Sequence, residues 1–383
     1  MAMNVEVGNR GDDVRNDIWI RATDSHQEVH FSKSPMSQAK QQVLELRREL
    51  NLERFGLEME DSGAFEFTIS ARIRALAQAC GLSTGETPAP TTPKARTRGE
   101  VNSFRSRLYL PGNTPKFFVN AHLHEPDIII LDLEDSVADG DKSAARFLVQ
   151  SALRSVDFGA CFRFVRINSG PLEEADIMAV AGHGIDGILI PKCESADDVI
   201  RVVSTCQGAG ADPVVIPIIE SALGMERAFE ISGASVNVVA VAMGLEDYRA
   251  DIRASRLPNG EEATWALSRL INAARAAGVE PLASVWSDVQ DEAGLRDYCL
   301  SVRARGASGV GCLHPAQIQT VHGAFAPTKE ESEWAYAVIE AFQASEGAVT
   351  SLNGQMIDVP IARRAESILR QSERHTKSWR LAQ

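Results

Sequence analysis

From Leu108 onward the chain repeats one pattern eight times, a short run of β-branched and aliphatic residues followed by an amphipathic helical stretch. The apolar runs fall at residues 108–110, 128–131, 164–167, 187–190, 214–219, 238–242, 282–285 and 310–313. Parallel strands covered on both faces read as continuous apolar runs, because neither face meets water. Eight strand–helix units in succession predict an α/β fold of the TIM (β/α)8-barrel type, which takes about 250 residues. The chain has 383 residues, of which 44% are hydrophobic, so a barrel of that size can be filled with length to spare.

Part of the spare length lies in front. Residues 81–100 read GLSTGETPAPTTPKARTRGE, with three prolines, a run of threonines and almost no large apolar residue, which is linker composition. Before it, residues 17–21 and 64–69 alternate as strands do, while residues 37–50 and 72–79 place apolar side chains at helical spacing. A small α+β domain is predicted there.

Charge and cysteine usage exclude several classes. A net charge of −13 disfavours nucleic acid, whose phosphates need a concentrated basic face. No apolar run approaches the roughly 18 residues of a membrane span, and the N-terminus lacks the basic start and apolar centre of a signal peptide, so a cytoplasmic protein is expected, with no membrane partner. The six cysteines form no CxxC pair, which speaks against a zinc site or a disulfide framework and for buried thiols.

The polar residues that follow the predicted strands carry the functional argument. They are PGN from Pro111, DLED from Asp132 to Asp135, Asn168, Pro191-Lys192, Glu220, GLED from Gly244 to Asp247, Trp286 to Asp288, and His314. In a barrel these positions all open on one face, the face on which active sites are built. Glu220 and Asp247 close neighbouring strands, so two carboxylates would point into one pocket and require a cation. Oxygen ligands without His or Cys suit Mg²⁺, which accepts one or two protein carboxylates and keeps several waters. Either acid would alternatively serve at the N-terminus of the following helix.

Arg166 sits at the end of the third strand, where its fork suits the carboxylate of a keto acid or an ion pair with Asp132, Glu134 or Asp135. Asp132, Glu134 and Asp135 are too many acids for one ion, so some of them would orient Arg166, Lys192 or metal-bound water. Lys192 reads as an ion-pair partner of these acids, or, if desolvated, as a Schiff-base nucleophile. The PGNTPK turn brings one cation, Lys116, to the same face, a signal for phosphate contact.

The ordered segments RSRLYLPGN, IIILDLEDSVADGDKSAAR, FVRIN, ILIPKCES, IPIIESALGMERAFEI, VAMGLEDYRADI, RLPNGEEATWA, VWSDVQDEAGL, GVGCLHPAQI and LNGQMIDVPIARRAESIL resemble the citrate lyase beta-subunit and citramalyl-CoA or malyl-CoA lyase family. The resemblance runs from about Phe104 to Leu369. It implies a barrel with Mg²⁺ on Glu220 and Asp247, and Arg166 on the keto-acid product. It also implies Asp358, in a C-terminal helical lid, as the acid–base group, usually presented to a neighbouring subunit. Relatives carry an arginine after PGS or PGN for coenzyme A phosphates. Thr114 stands there in this chain, so Lys116 and Arg105 are the substitutes considered, with Gly244 as a further substrate contact.

The first domain resembles the citrate lyase gamma subunit, an acyl carrier, over SPMSQAKQQVLELRREL and MEDSGAFEFTISARIRALAQA. The carrier's attachment serine, which precedes a DV dipeptide, has no counterpart in Gly11-Asp12-Asp13-Val14; Ser25 and Ser32 would serve only under another register. A free coenzyme A thioester is therefore expected as substrate, with no covalently attached prosthetic group. The implied organisation is a carrier-like domain over residues 1–82, a linker over 83–102, the barrel over 103–325 and a lid and tail over 326–383. The implied assembly is a homo-oligomer, at least a dimer, with a trimer or hexamer suggested.

The resulting expectation is a Mg-dependent carbon–carbon lyase of the oxo-acid-lyase type, splitting a citryl-, citramalyl- or malyl-CoA thioester into acetyl-CoA and a 2-keto acid. The alternatives are a metal-dependent aldolase without coenzyme A, a hydrolase or synthase of malyl thioesters, and a scaffolding subunit of a larger lyase.

Overall fold

A computed structural model of the chain describes residues 4–9, 18–23, 95–257 and 260–381. The N-terminal described residues form an antiparallel pair, β1 (Asn4–Asn9) and β2 (Ile18–Thr23). The predicted strand at 17–21 overlaps β2. The predicted elements at 37–50, 64–69 and 72–79, and the Gly11–Val14 segment, lie outside the described residues.

All eight predicted barrel strands form. They are β3 (Ser106–Pro111), β4 (Ile128–Asp132), β5 (Phe162–Arg166), β6 (Gly187–Ile190), β7 (Val214–Ile219), β8 (Ala240–Met243), β9 (Glu280–Leu282) and β10 (Val310–Cys312). They pair in parallel in the order β10-β3-β4-β5-β6-β7-β8-β9. The remaining seam is bridged by Ala283 N donating to Gly309 O at 2.9 Å, Ser308 N donating to Pro281 O at 2.8 Å and a parallel bridge between Val285 and Gly311. The sheet thereby becomes a barrel.

Alternate side chains on each strand face opposite ways. One set, including Ile128, Ile130, Phe164, Leu189, Ile216 and Leu282, fills the lumen, and Val101 and Phe104 join this cluster from the segment that leads into β3. The other set packs under the helices in a second, larger cluster. Gly187 is required in the lumen, because a Cβ there would fall 2.1 Å from the Phe164 ring. Arg96 reaches the end where the strands start, its amide donating to Asp186 Oδ1 at 2.7 Å and its guanidinium to Cys161 O at 2.8 Å. Cys161, Cys193, Cys206, Cys299 and Cys312 are buried free thiols, and burial pushes each up to about 12, so none is a ready nucleophile.

The helices that follow the strands are α1 (Lys142–Ser155), α2 (Glu173–Val180), α3 (Ala196–Gly208), α4 (Ala222–Glu226), α5 (Ala228–Ser232), α6 (Leu245–Asp251), α7 (Thr264–Ala277), α8 (Glu292–Arg305) and α9 (Gln317–Phe325). Beyond them α10 (Lys329–Ala344) begins with a reciprocal Thr328–Glu331 cap and is tied to α8 by Arg303 and Glu331 at 2.7 Å. A hairpin of β11 (Thr350–Leu352) and β12 (Gln355–Ile357) turns at Asn353-Gly354, both with positive φ (48° and 79°), as a two-residue hairpin requires. The closing helix α11 (Val359–Leu381) packs on α10 through Ala335, Val338, Ile357, Ala365 and Ile368. This C-terminal unit has its own small core. Among the described residues no helix is long and apolar enough to cross a membrane.

Candidate active site

The strand ends converge at one rim. Asp132 ends β4, Arg166 ends β5, Lys192 follows β6, Glu220 follows β7 and Asp247 lies in the first turn of α6, after β8. Register places Asp132 directly beside Arg166.

Asp132 is almost fully buried and saturated with donors. Arg166 grips it with both arms of its fork, Nε to Oδ1 at 2.7 Å and Nη2 to Oδ2 at 2.6 Å. The Glu134 amide and the Ser136 amide and hydroxyl donate to it as well. Burial acts to raise this carboxyl, but the Arg166 bonds and charge, helped by Ser136, hold it below its ordinary value. Asp132 thus orients Arg166 and closes the DLED loop. The third guanidinium nitrogen of Arg166 lies 3.0 Å from Glu134 and 3.3 Å from Asp135, and its charged plane sits 5.4 Å from the centre of the Tyr109 ring.

Lys192 Nζ donates to Glu134 Oε1 at 2.7 Å, with Asp135 at 3.7 Å. The Glu134 bond raises the pKa of Lys192, the opposite of what a Schiff-base lysine needs. The Lys192 ammonium is an ion-pair partner here. Glu134 itself is raised, first by burial and then by its contact with Asp135.

The Glu220 carboxyl is raised to about 7, first by burial and then by the neighbouring charges of Asp247 and Glu134. The Lys192 amide donates to its Oε1 at 2.6 Å. Glu220 does not cap the next helix; Ser221 does so, its hydroxyl accepting from Gly224 N at 3.1 Å. A carboxylate buried among like charges is costly unless a cation joins it. Five carboxylates, Asp132, Glu134, Asp135, Glu220 and Asp247, share this rim with the cationic side chains of Arg166 and Lys192. Among the described residues no three His, Cys, Asp or Glu side chains form a cage for a metal ion. Two oxygen ligands with room for water and substrate are what Mg²⁺ accepts, and the donor set of Glu220 and the exposed Asp247 fits it.

Two other predicted contacts separate. Lys116 lies on the loop after β3, exposed, with Nζ 5.5 Å from the centre of the Phe117 ring. Arg105 does not reach this face. It precedes β3, at the opposite end of the barrel, where Nε and Nη2 hold Asp127 at 3.0 and 2.7 Å. The assignment of Arg105 to coenzyme A is therefore corrected: register puts the start of a strand about a barrel's height from the rim, and a buried partner consumes the fork. Asp358 caps α11, the helix that packs on α10, its Oδ1 accepting from Ile361 N at 3.2 Å. Among the described residues no hydrogen bond or ion pair joins it to Glu220, Asp247 or Arg166.

Sequence reasoning missed Lys142. Its ammonium donates to Leu133 O at 3.3 Å, Glu134 O at 3.0 Å and Asn168 Oδ1 at 2.6 Å, pinning the DLED loop to the end of β5. In sequence it reads as an ordinary first residue of a helix. Ser284 was also missed; its hydroxyl accepts from Leu245 N at 3.3 Å and seats the start of α6, which carries Asp247.

Comparison with known proteins gives the family and the fold. The model of the HpcH/HpaI aldolase/citrate lyase family matches residues 105–315. The citrate lyase subunit beta of Leuconostoc mesenteroides is 34% identical over 278 residues, 70% of this chain and 92% of the relative. A (3S)-malyl-CoA thioesterase of Cereibacter sphaeroides is 34% identical over 264 residues, 68% of this chain and 91% of the relative. The crystal structure of the protein CitE from Mycobacterium tuberculosis in complex with magnesium, acetoacetate and coenzyme A superposes with a TM-score of 0.62 at 32% identity, covering 71% of this chain and 99% of that one.

Proposed function

Because the chain belongs to the HpcH/HpaI aldolase/citrate lyase family, we propose that it is a magnesium-dependent carbon–carbon lyase acting on a hydroxyacyl-coenzyme A thioester, with acetyl-CoA and a 2-keto acid as products. The observation that carries this reading is Glu220, buried at a strand end and raised to about 7 beside Asp247, a pair of acids that calls for a divalent cation. Glu220 and Asp247 are its proposed ligands. A magnesium ion held there supplies Lewis acidity toward a substrate hydroxyl and its adjacent carboxylate.

The other roles fall to the chain's own residues. Arg166, fixed by Asp132, faces the keto-acid portion with a guanidinium whose orientation is set before substrate arrives. For the keto acid to form, the hydroxyl gives up its proton and cleavage leaves the bonding electrons on the thioester fragment, whose α-carbon takes a proton; Asp358, presented by the lid of a neighbouring subunit in a homo-oligomer, is the proposed acid–base group that takes the first proton and returns it to carbon. Lys116 is the proposed contact for coenzyme A phosphates, with Gly244 lining the substrate side of the metal site. Coenzyme A thioesters are proposed as free substrates.

Similarity to a (3S)-malyl-CoA thioesterase supports a second reading, hydrolysis of the thioester after or instead of cleavage. One assay separates them. Citryl-, citramalyl- and malyl-CoA are incubated with the full-length protein and Mg²⁺, and acetyl-CoA, 2-keto acid and free coenzyme A are quantified. Lyase action yields acetyl-CoA and keto acid in equal amounts. Free coenzyme A with intact hydroxy acid contradicts it and supports the thioesterase.

A further inference from the structure

Lys192 has a left-handed backbone, with φ at 51°. A residue with a Cβ is disfavoured there, β-branched residues most of all, and such a conformation persists only where its surroundings over-determine it. At this position the conformation has a visible result. The Lys192 amide donates to Glu220 Oε1 at 2.6 Å while the ammonium of the same residue reaches Glu134 Oε1 at 2.7 Å. The next amide, of Cys193, donates to Ile218 O at 3.1 Å, so the turn is anchored on the strand that leads into Glu220. The other carboxylate oxygen, Oε2, lies against Gly244, where a Cβ would fall only 2.2 Å away.

One oxygen of Glu220 is therefore occupied by a backbone donor, and the other is turned toward the strand end that leads into Asp247. We propose that Lys192 is a positioning residue whose left-handed backbone aims its amide at Glu220 Oε1 and thereby presents Oε2 to the divalent ion, independently of what its ammonium does. The inference rests on the metal reading given above and adds to it a backbone origin for the orientation of the ligand. A side chain tied to Glu134 and an amide tied to Glu220 also join the DLED loop to the metal ligand through a single residue.

Substitution separates the two functions, because Lys192→Gly, Lys192→Ala and Lys192→Val all remove the ammonium but differ in tolerance of positive φ. Binding of Mg²⁺ to the full-length protein without substrate is measured by isothermal titration calorimetry, alongside each variant's thermal midpoint. The Mg²⁺ dissociation constant is expected to rise in the order Gly, Ala, Val, with Val about tenfold weaker than Gly. If the Val variant does not fold, Gly against Ala carries the comparison, with about a threefold difference expected. Equal Mg²⁺ affinities across the folded variants overturn the proposal, as does a lower midpoint for Val with unchanged Mg²⁺ affinity. Wild-type protein that fails to bind Mg²⁺ overturns the metal reading itself and this inference with it.

Discussion

A Cβ on Gly244 would lie 2.2 Å from Oε2 of Glu220 and 2.5 Å from its Cβ. The ends of β7 and β8 thus approach so closely that a side chain on one must displace the side chain of the other. The Gly244→Ala variant is expected to fold, with a cost of about 1–3 kcal/mol for overpacking, and to bind Mg²⁺ at least about tenfold more weakly. Calorimetric titration checks this. Unchanged affinity would mean that Glu220 does not need its present position to hold the ion.

The raised pKa of Glu220 gives two pH dependences. Its folded value, about 7, lies above its ordinary value of 4.5, so the proton is held more tightly in the folded state. Its contribution to the stability of the metal-free protein is fully present below about 4.5 and is lost as pH rises through about 7. Mg²⁺ must displace that proton, so its affinity is expected to climb as pH approaches 7 from below and then to level off. Thermal midpoints with and without Mg²⁺ across this range, compared with Glu220→Gln, measure both effects. The variant is expected to lose both.

Arg166 compensates the buried charge of Asp132. Its removal in Arg166→Ala leaves that carboxylate uncompensated, for an expected loss of about 3–5 kcal/mol in urea denaturation. Lys in its place supplies a point charge without the two-armed grip and is expected to fall between the two. Asp132 is held below its ordinary value of 3.8, so this pair's contribution is present above 3.8 and lost as pH falls further. The denaturation difference between wild type and Arg166→Ala should narrow in that acid range.

Asp358→Asn retains the cap on α11, since Asn caps about as well as Asp, so the thermal midpoint should stay within about a degree or two. Acetyl-CoA formation is expected to fall about 100-fold or more, the scale of a lost proton donor. If the lid serves a neighbouring subunit, mixed oligomers of Asp358→Asn and Glu220→Gln chains regain activity that neither shows alone, because one intact site can be assembled from two damaged chains. Absence of recovery in verified mixed oligomers would place Asp358 outside a shared site.

How much of this was legible in the sequence follows from what periodicity records. Eight apolar runs mark eight strands because burial on both faces leaves no polar alternation, and parallel topology then assigns every strand end to one rim. Glu220 and Asp247 could be paired on that ground alone. Spacing says nothing of side-chain partners, which is why Lys142 passed for a helix residue although it holds the DLED loop by two hydrogen bonds and ties it to Asn168 by a third. Arg105, a coenzyme A candidate only through the family resemblance, is held by register at the far end with Asp127. The left-handed turn at Lys192 was invisible for another reason: positive φ announces itself in sequence only when glycine or asparagine supplies it, and lysine does not.

The most direct measurement is a crystal of the full-length protein soaked in Mn²⁺, a stand-in for Mg²⁺ with an anomalous signal. The ion is expected between the Glu220 and Asp247 carboxylates, with Glu220 Oε1 still bonded to the Lys192 amide. Anomalous density at another acidic cluster, or a fully occupied soak with those two carboxylates turned apart, would contradict the account.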